Sequence, residues 1–506
     1  MSSPNQNWNT NDLFCYDLPT KIQPDMGKIL VTGATGYIGG RLVPELLARG
    51  YKVRVMVRAA SPEHSDLWPG AEIVVADAFK IDSLRVALNG IDVAYYLIHS
   101  LLLGPRDFES ADIIAAKNFS AVSEEMKVKR IIYLGGLGDI RNPLSSHLRS
   151  RAEVAEELKR RKTPVTVLRA AIIVGSGSAS YEIIEHLAEK LPIIFIPYWA
   201  KNRCQPIAIR DVIKYLVGVM ETPETTGKSF DIGGDDILTY EMMLRIYKEL
   251  IHKRVIFIRV PFSNIRFYAY VASLITPVPH SITKCLMEGL KNEVICQDRV
   301  IKSLIPFNTL SYKEAIVRAM SREEQDIVYT RWSDAYPPAC ELALKFNELE
   351  RVEYTAKYSL TTEKSASSLF RSFCKIGGKE GWFHSNWLWR LRGVIDRILL
   401  GVGSARGRRC YSSIKTNDVI DFWRIENIQD NKKLLLRAEM KLPGKAWLEF
   451  DITEKNSINT LSVTAYYDTH GFWGRIYWYI FLPFHHFIFR NLIREIDKKA
   501  DYTISI

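Results

Sequence analysis

Gly33, Gly36 and Gly39 recur at three-residue spacing directly behind the apolar run KILV, residues 28–31, and glycines so placed suit a phosphate cradle. Gly33 permits a tight turn, Gly36 lets the phosphates of a ligand approach the backbone, and Gly39 lets a helix lie close on the strand. The free N–H groups and positive dipole end of that helix then face a pyrophosphate.

The cradle needs a strand before it, a helix after it and a second strand beside it. Residues 51–58 supply the second strand, with Val53, Val55 and Val57 alternating at period two. Four further strands are expected at residues 72–76, 93–99, 130–134 and 165–168, with helical patterns between them, clearest at residues 107–128. Such alternation implies an α/β fold, a Rossmann-type doubly wound parallel sheet with helices on both faces. Pro44 falls inside the first helix, removes one hydrogen bond and should bend it.

In such a sheet a ligand lies across the carboxyl ends of the strands. Strand two ends in Arg58, with no carboxylate for a ribose hydroxyl, and an arginine there can pair with a 2'-phosphate. That favours NADP over NAD as cofactor; the alternative is an arginine that merely faces solvent. Strand three ends in Asp77, strand four in Ile98, His99 and Ser100, and strand five in Gly135, Gly136, Leu137 and Gly138.

The chain has 506 residues, enough for two or three domains, and its 47% hydrophobic and 25% charged content is that of an ordinary globular protein. Seven cysteines form no C-x-x-C pair and no metal-ligand spacing, so no metal site is expected and a reducing, cytoplasmic location is. Residues 1–26 are rich in Asn, Pro, Ser and Thr and read as a disordered leader rather than a secretory signal. Part of the net charge of +11 sits at Arg390, Arg392, Arg397, Arg406, Arg408 and Arg409. This cluster carries no motif that reads nucleic acid, so no nucleic-acid partner is expected and a solvated basic face is.

The form T-G-x-x-G-x-x-G over residues 32–39 resembles the short-chain dehydrogenase/reductase superfamily, in particular its atypical, NmrA-like and epimerase-like branches. The resemblance implies a reductase-like domain over residues 27–335 that holds a dinucleotide with Thr32, Gly33, Thr35, Gly36, Tyr37, Ile38 and Gly39. It further implies Asp77 beside the adenine, and Ile98, His99, Ser100 and Gly135 beside the nicotinamide half. Residues 205–211 and 231–234 are similar to the superfamily's late strands, and residues 251–330 are expected to cover one side of this half.

Past Pro337 and Pro338 the pattern changes to a strand at 351–360, helices at 365–376 and 387–400, strands near 418–428, 433–441, 446–452 and 461–467, an aromatic segment and a charged helix. Residues 345–506 thereby resemble a helix-grip, START-like ligand-binding fold, which implies a cavity for a small hydrophobic molecule. The stretches GWFHSNWLWRLRGVIDRILLGVG and LPGKAWLEF look like signatures of a C-terminal domain that recurs behind bacterial reductase domains. The segment FWGRIYWYIFLPFHHFIF, residues 472–489, is too short in apolar residues to cross a bilayer of roughly 30 Å. It is either a core helix or an interfacial one in peripheral contact with the inner face of a membrane. His485 and His486 are adjacent, point to different sides and make no metal pair.

Reductases of the superfamily place a Tyr four residues before a Lys on the helix after strand five, so that the ammonium lowers the phenol pKa. Residues 145–159 contain no tyrosine; His147 and Arg151 have the spacing, an imidazole in place of the phenol and a guanidinium in place of the ammonium. Tyr181 and Ser100 are the next candidates, and YSSIK at residues 411–415 is a chance match in the other domain. Two classes stay open: an NADPH-dependent reductase or epimerase-like enzyme acting on a hydrophobic carbonyl compound, and a dinucleotide binder without turnover, such as a redox sensor or accessory protein.

Overall fold

A computed structural model of the chain describes residues 13–58, 63–99, 108–138, 144–278, 280–324, 330–331, 352–378, 380–383, 385–399, 401, 403–404, 414, 418–455, 458–469 and 471–500. Two compact units emerge, Met1–Ala269 with Ser281–Tyr336, and Tyr270–His280 with Pro337–Ile506. The sequence assigns 270–280 to the first domain. In the structure this segment is bonded within the second: Thr276 O accepts from the Arg397 guanidinium at 2.6 Å, and the Tyr270 hydroxyl donates to Ile398 O at 3.4 Å.

The first unit is built on a parallel sheet of seven strands: β1 (Lys28–Val31), β2 (Val53–Val57), β3 (Glu72–Val75), β4 (Ile91–Tyr96), β5 (Arg130–Gly136), β6 (Val165–Ala170) and β7 (Ser229–Ile232). Their spatial order is β7-β6-β5-β4-β1-β2-β3. The order reverses between β1 and β4, whose register sets Val31 beside Tyr95 on one side and Val55 of β2 on the other. That is the crevice where an open α/β sheet receives a ligand.

Period-two alternation decides which helices cover which face. Ile29, Val31, Val55 and Tyr95 point into one core beneath α1 (Gly39–Ala48), while Leu30, Met56, Ala94 and Tyr96 point into the other. The second face is covered by α2 (Ile81–Leu88), α3 (Phe108–Glu125) and α4 (Ser146–Lys159). A fifth helix, α5 (Ile209–Glu221), is buried along most of its length on the α1 side. Pro44 sits within α1, and the helix runs on through it to Ala48.

The expected leader is in part a packed segment. Cys15 and Leu18 are buried, and the N–H groups of Phe14 and Cys15 donate to the buried Glu45 carboxylate at 2.5 and 3.1 Å. Glu221 ties the segment down as well, accepting from the Thr20 hydroxyl and pairing with Arg49 at 2.7 Å. Polar composition hides this docking because it rests on two apolar side chains and two buried acids supplied from elsewhere.

The second unit has a six-stranded antiparallel sheet of β8 (Tyr354–Thr362), β9 (Val419–Ile420), β10 (Trp423–Gln429), β11 (Lys433–Ala438), β12 (Lys445–Lys455) and β13 (Ile458–Asp468), in the order β8-β13-β12-β11-β10-β9. Between β8 and β9 lie α6 (Ala366–Phe373) and α7 (Asn386–Ile398), and α8 (Phe472–Lys499) closes the described chain. Leu434, Leu436, Leu448, Phe450 and Val463 meet Phe489, Leu492 and Ile496 of α8 in one core. The opposite face is polar and carries a buried pair, Arg424 with Glu439 at 2.6 Å.

The aromatic segment and the charged helix are one continuous helix of 28 residues, with Pro483 inside it. Pro483 lies on the exposed side, so the carbonyl it leaves unpaired can reach water, while Trp478 and Phe489 anchor the helix on either side. Among the described residues no helix is long and apolar enough to cross a membrane. The Pro-Pro boundary, Arg406, Arg408, Arg409 and most of residues 411–415 lie outside the described residues.

Candidate dinucleotide and carbonyl site

At the end of β1 the buried Thr32 joins the two strands at which the order reverses. Its N–H and hydroxyl both donate to the Tyr95 carbonyl, at 3.1 and 2.9 Å, and its hydroxyl accepts from the Leu97 N–H at 3.0 Å. Gly33 follows with φ +61°, where a Cβ would stand 2.5 Å from the Leu97 carbonyl oxygen. A Cβ on Gly39 would stand 2.4 Å from the Gly33 oxygen, so the helix lies directly on the turn.

Ile38 precedes α1 with no side-chain cap, and the first turn holds no acid. Of the leading N–H groups, Gly40 donates to the Gly36 carbonyl at 3.0 Å and Arg41 to that of Ile38 at 3.1 Å, so what α1 presents to an anion is the positive end of its dipole, with no acidic side chain against it. Thr35 is exposed, while Gly36, Tyr37 and Ile38 are half-buried along the turn. Arg41, which sequence reasoning missed, braces this turn: its guanidinium lies 4.3 Å from the Tyr37 ring centre and donates to the carbonyls of Tyr37, Ser176 and Thr330.

Arg58 is exposed at the carboxyl end of β2, and no hydrogen bond or ion pair holds it among the described residues. The Asp77 carboxylate accepts from the Phe79 N–H at 3.0 Å, a local turn that leads into α2. Ile98 is half-buried against the core covered by α2, α3 and α4, and Gly135 lies within β5 with the Tyr133 ring beside it. Ser100 lies outside the described residues.

Beyond β4, His99 sets its Nδ1 2.8 Å from Oδ2 of the buried Asp112 on α3. The His147 ring, in the first turn of α4, lies with its centre 5.2 Å from that of His99. Ser145 caps α4 by accepting from the Leu148 N–H at 3.4 Å. Burial drives the His147 pKa well below its ordinary value, with His99 and Arg151 adding to the fall and Asp112 opposing it. Burial also lowers His99, against the pull of Asp112.

His147 is therefore neutral at physiological pH, and its Nδ1 is buried with no hydrogen-bond partner among the described residues. A neutral imidazole at a helix N-terminus can polarise a carbonyl by donating a hydrogen bond, as the histidine of triosephosphate isomerase does. Arg151 is engaged differently from a free ammonium: its guanidinium donates to the Leu134 carbonyl on β5 and lies 5.0 Å from the Tyr133 ring centre. One of its guanidinium nitrogens is thereby committed to β5.

Tyr181, the reserve candidate, is fully buried and donates its hydroxyl to Glu185 at 3.1 Å, against Tyr247. It belongs to a packed cluster. Asp112 was not singled out from the sequence, yet a signal exists: it shares the apolar stripe of α3 with Ala115, Ala116 and Phe119, where a carboxylate must find a partner. The residues fit a nicotinamide dinucleotide: a glycine turn with no room for a Cβ, an uncapped helix, an unengaged arginine at β2 and an orphaned imidazole nitrogen beside the switch point.

Residues 25–297, more than half of the chain, match the model of the NmrA-like family, and residues 349–492 match that of a protein of unknown function, DUF2867. The chain is 28% identical over 223 residues to NADH dehydrogenase [ubiquinone] 1 alpha subcomplex subunit 9, mitochondrial, of Dictyostelium discoideum, covering 42% of this chain and 61% of that one. It is 24% identical over 262 residues to divinyl chlorophyllide a 8-vinyl-reductase, chloroplastic, of Cucumis sativus, covering 48% and 62%. It thus spans less than two thirds of either relative. Among solved structures, that of the Citrobacter sp. triphenylmethane reductase complexed with NADP(H) is 19% identical, with a TM-score of 0.47 over 57% of this chain and 99% of that one.

Proposed function

The chain belongs to the NmrA-like family, and from that premise we propose that it is an NADP(H)-dependent oxidoreductase acting on a hydrophobic carbonyl compound. Bound NADPH supplies the hydride. The Gly33 turn and the N-terminus of α1 hold the pyrophosphate, and Arg58 takes the 2'-phosphate. His147 donates a hydrogen bond to the carbonyl oxygen and yields its proton as that oxygen becomes an alkoxide, a stronger base than imidazolate. Asp112 fixes His99 with Nδ1–H as donor, leaving Nε2 as the acceptor atom of that ring. The second unit, which we read as a helix-grip fold from its antiparallel sheet and long closing helix, serves in this reading as the module for the hydrophobic substrate.

The observation that carries the reading is the neutral, half-buried His147 in the first turn of α4, against a carboxylate-held His99 at the strand switch. It is tested by following NADPH oxidation over a panel of aromatic and long-chain aldehydes and ketones. Turnover by the parent chain that falls by ~10² in His147→Ala supports it. A second reading, a dinucleotide-binding accessory protein, is favoured by the engagement of Arg151 with β5 and by the likeness to a respiratory-complex subunit. NADPH binding without turnover of any carbonyl would select it.

A further inference from the structure

On α7 the residues Trp387, Leu391, Val394, Ile395 and Ile398 form a stripe at helical spacing, and all five are exposed, Trp387 by 65% and Ile398 by 58%. The opposite side of the helix is the one that packs, through Trp389 and the buried Gly393 and Asp396. Normal amphipathicity is thus inverted, with the helix's apolar residues turned outward. Arg390 flanks the stripe, and the one acid of α7, Asp396, is buried and accepts from the N–H groups of Gly403 and Lys441 at 2.8 and 2.6 Å.

α8 repeats the device beside it, the two helices meeting through Trp389 and Phe489, ring centres 6.4 Å apart. Trp473, Tyr479, Ile480, Phe484 and Phe487 are exposed, Trp473 by 73% and Tyr479 by 64%. The same stripe continues at steps of three and four into Arg490 and Arg494, both exposed, and then into Lys498, which pairs with Glu495 at 2.7 Å. From Phe472 to Arg494 there is no acidic residue.

We propose that the second unit docks peripherally on an anionic lipid surface through these outward stripes. The apolar parts enter the headgroup–acyl boundary, Trp473 and Tyr479 lie at headgroup level, and Arg490 and Arg494 meet the anionic headgroups. A second copy of the chain does not fit the same surface, since its stripes offer these two arginines no carboxylate, Glu495 being paired with Lys498. Spanning is excluded for α8 because its other side, from Trp478 to Ile496, is occupied by the sheet.

The test is flotation of the full chain with vesicles of phosphatidylcholine mixed with phosphatidylglycerol, and with phosphatidylcholine alone. The chain should float with the mixed vesicles, more weakly with the neutral ones, and less as salt rises. Trp473→Glu with Phe484→Glu should abolish flotation. Arg490→Gln with Arg494→Gln, which leaves the apolar stripe intact, should lower the affinity for mixed vesicles about 30-fold while sparing the neutral ones. Absence of flotation by the parent chain overturns the proposal. So does equal flotation of the arginine variant, or a dimer in solution that Trp473→Glu dissociates while vesicles recover nothing.

Discussion

Replacing Gly33 by alanine perturbs the cradle at its tightest point. The left-handed backbone at φ +61° costs an alanine about 1–2 kcal/mol. The new Cβ would stand 2.5 Å from the Leu97 carbonyl oxygen and 2.9 Å from its carbon, both backbone atoms that cannot swing aside. Relief requires the ends of β1 and β4 to part, which weakens the two hydrogen bonds of the Thr32 hydroxyl, about 1 kcal/mol each. The sum, less a few tenths for the stiffer unfolded chain, is about 3 kcal/mol, or about 6 °C in the transition that NADPH stabilises.

Gly50 is the control, because its φ is +83° but nothing lies within 4 Å of a Cβ there. Gly50→Ala should cost about 1 kcal/mol, from backbone strain alone, and leave binding intact. Differential scanning calorimetry with and without NADPH, and a fluorescence titration of NADPH, read both effects. Gly33→Ala should lose affinity at least tenfold where Gly50→Ala loses none. If the two variants melt together and bind alike, the contact between the turn and Leu97 does not organise the site.

His147→Ala should lower turnover by ~10² with unchanged NADPH affinity, and the parent rate should be flat from about pH 6.5 to 8, since a neutral imidazole is the donor. A rate that falls tenfold per pH unit over that range would assign the proton to an imidazolium instead. In the second unit, burial between Trp478 and Phe489 lowers the pKa of His485 to about 4. The unfolded chain then takes up the proton first, so this contribution is intact above about pH 6.5 and is lost as pH falls toward 4, by about 3 kcal/mol at most. Urea melts of the parent chain and His485→Leu at about pH 7.5 and 4.5 should show the parent losing more; equal losses would place the acid sensitivity elsewhere.

Much of the sheet was legible because β2 alternates at period two, the other strands are short apolar runs set between helical patterns, and the glycine turn fixes where the first crossover begins. Strand ends were less so: β5 runs on through Gly135 and Gly136, since pairing with Arg169 and Ala170 of β6 overrides the low strand preference of glycine. The docking of residues 13–26 depends on Glu45 and Glu221, and the allegiance of residues 270–280 on Arg397, partners far off in sequence that no local pattern reveals. At the site, His147 was found by its place after β5, whereas Asp112 and the engagement of Arg151 with Leu134 required the fold. The inward and outward sides of α8 could not be told apart, because both are aromatic.

The central claim is a cradle for a 2'-phosphorylated dinucleotide, and it is tested most directly by isothermal titration of NADPH and NADH into the parent chain and Arg58→Ala. The parent should prefer NADPH by at least about tenfold. The variant should lose about 10- to 100-fold for NADPH, the worth of charged hydrogen bonds to a phosphate, and less than about threefold for NADH. Equal losses for the two cofactors, or no binding of either by the parent chain, would contradict it.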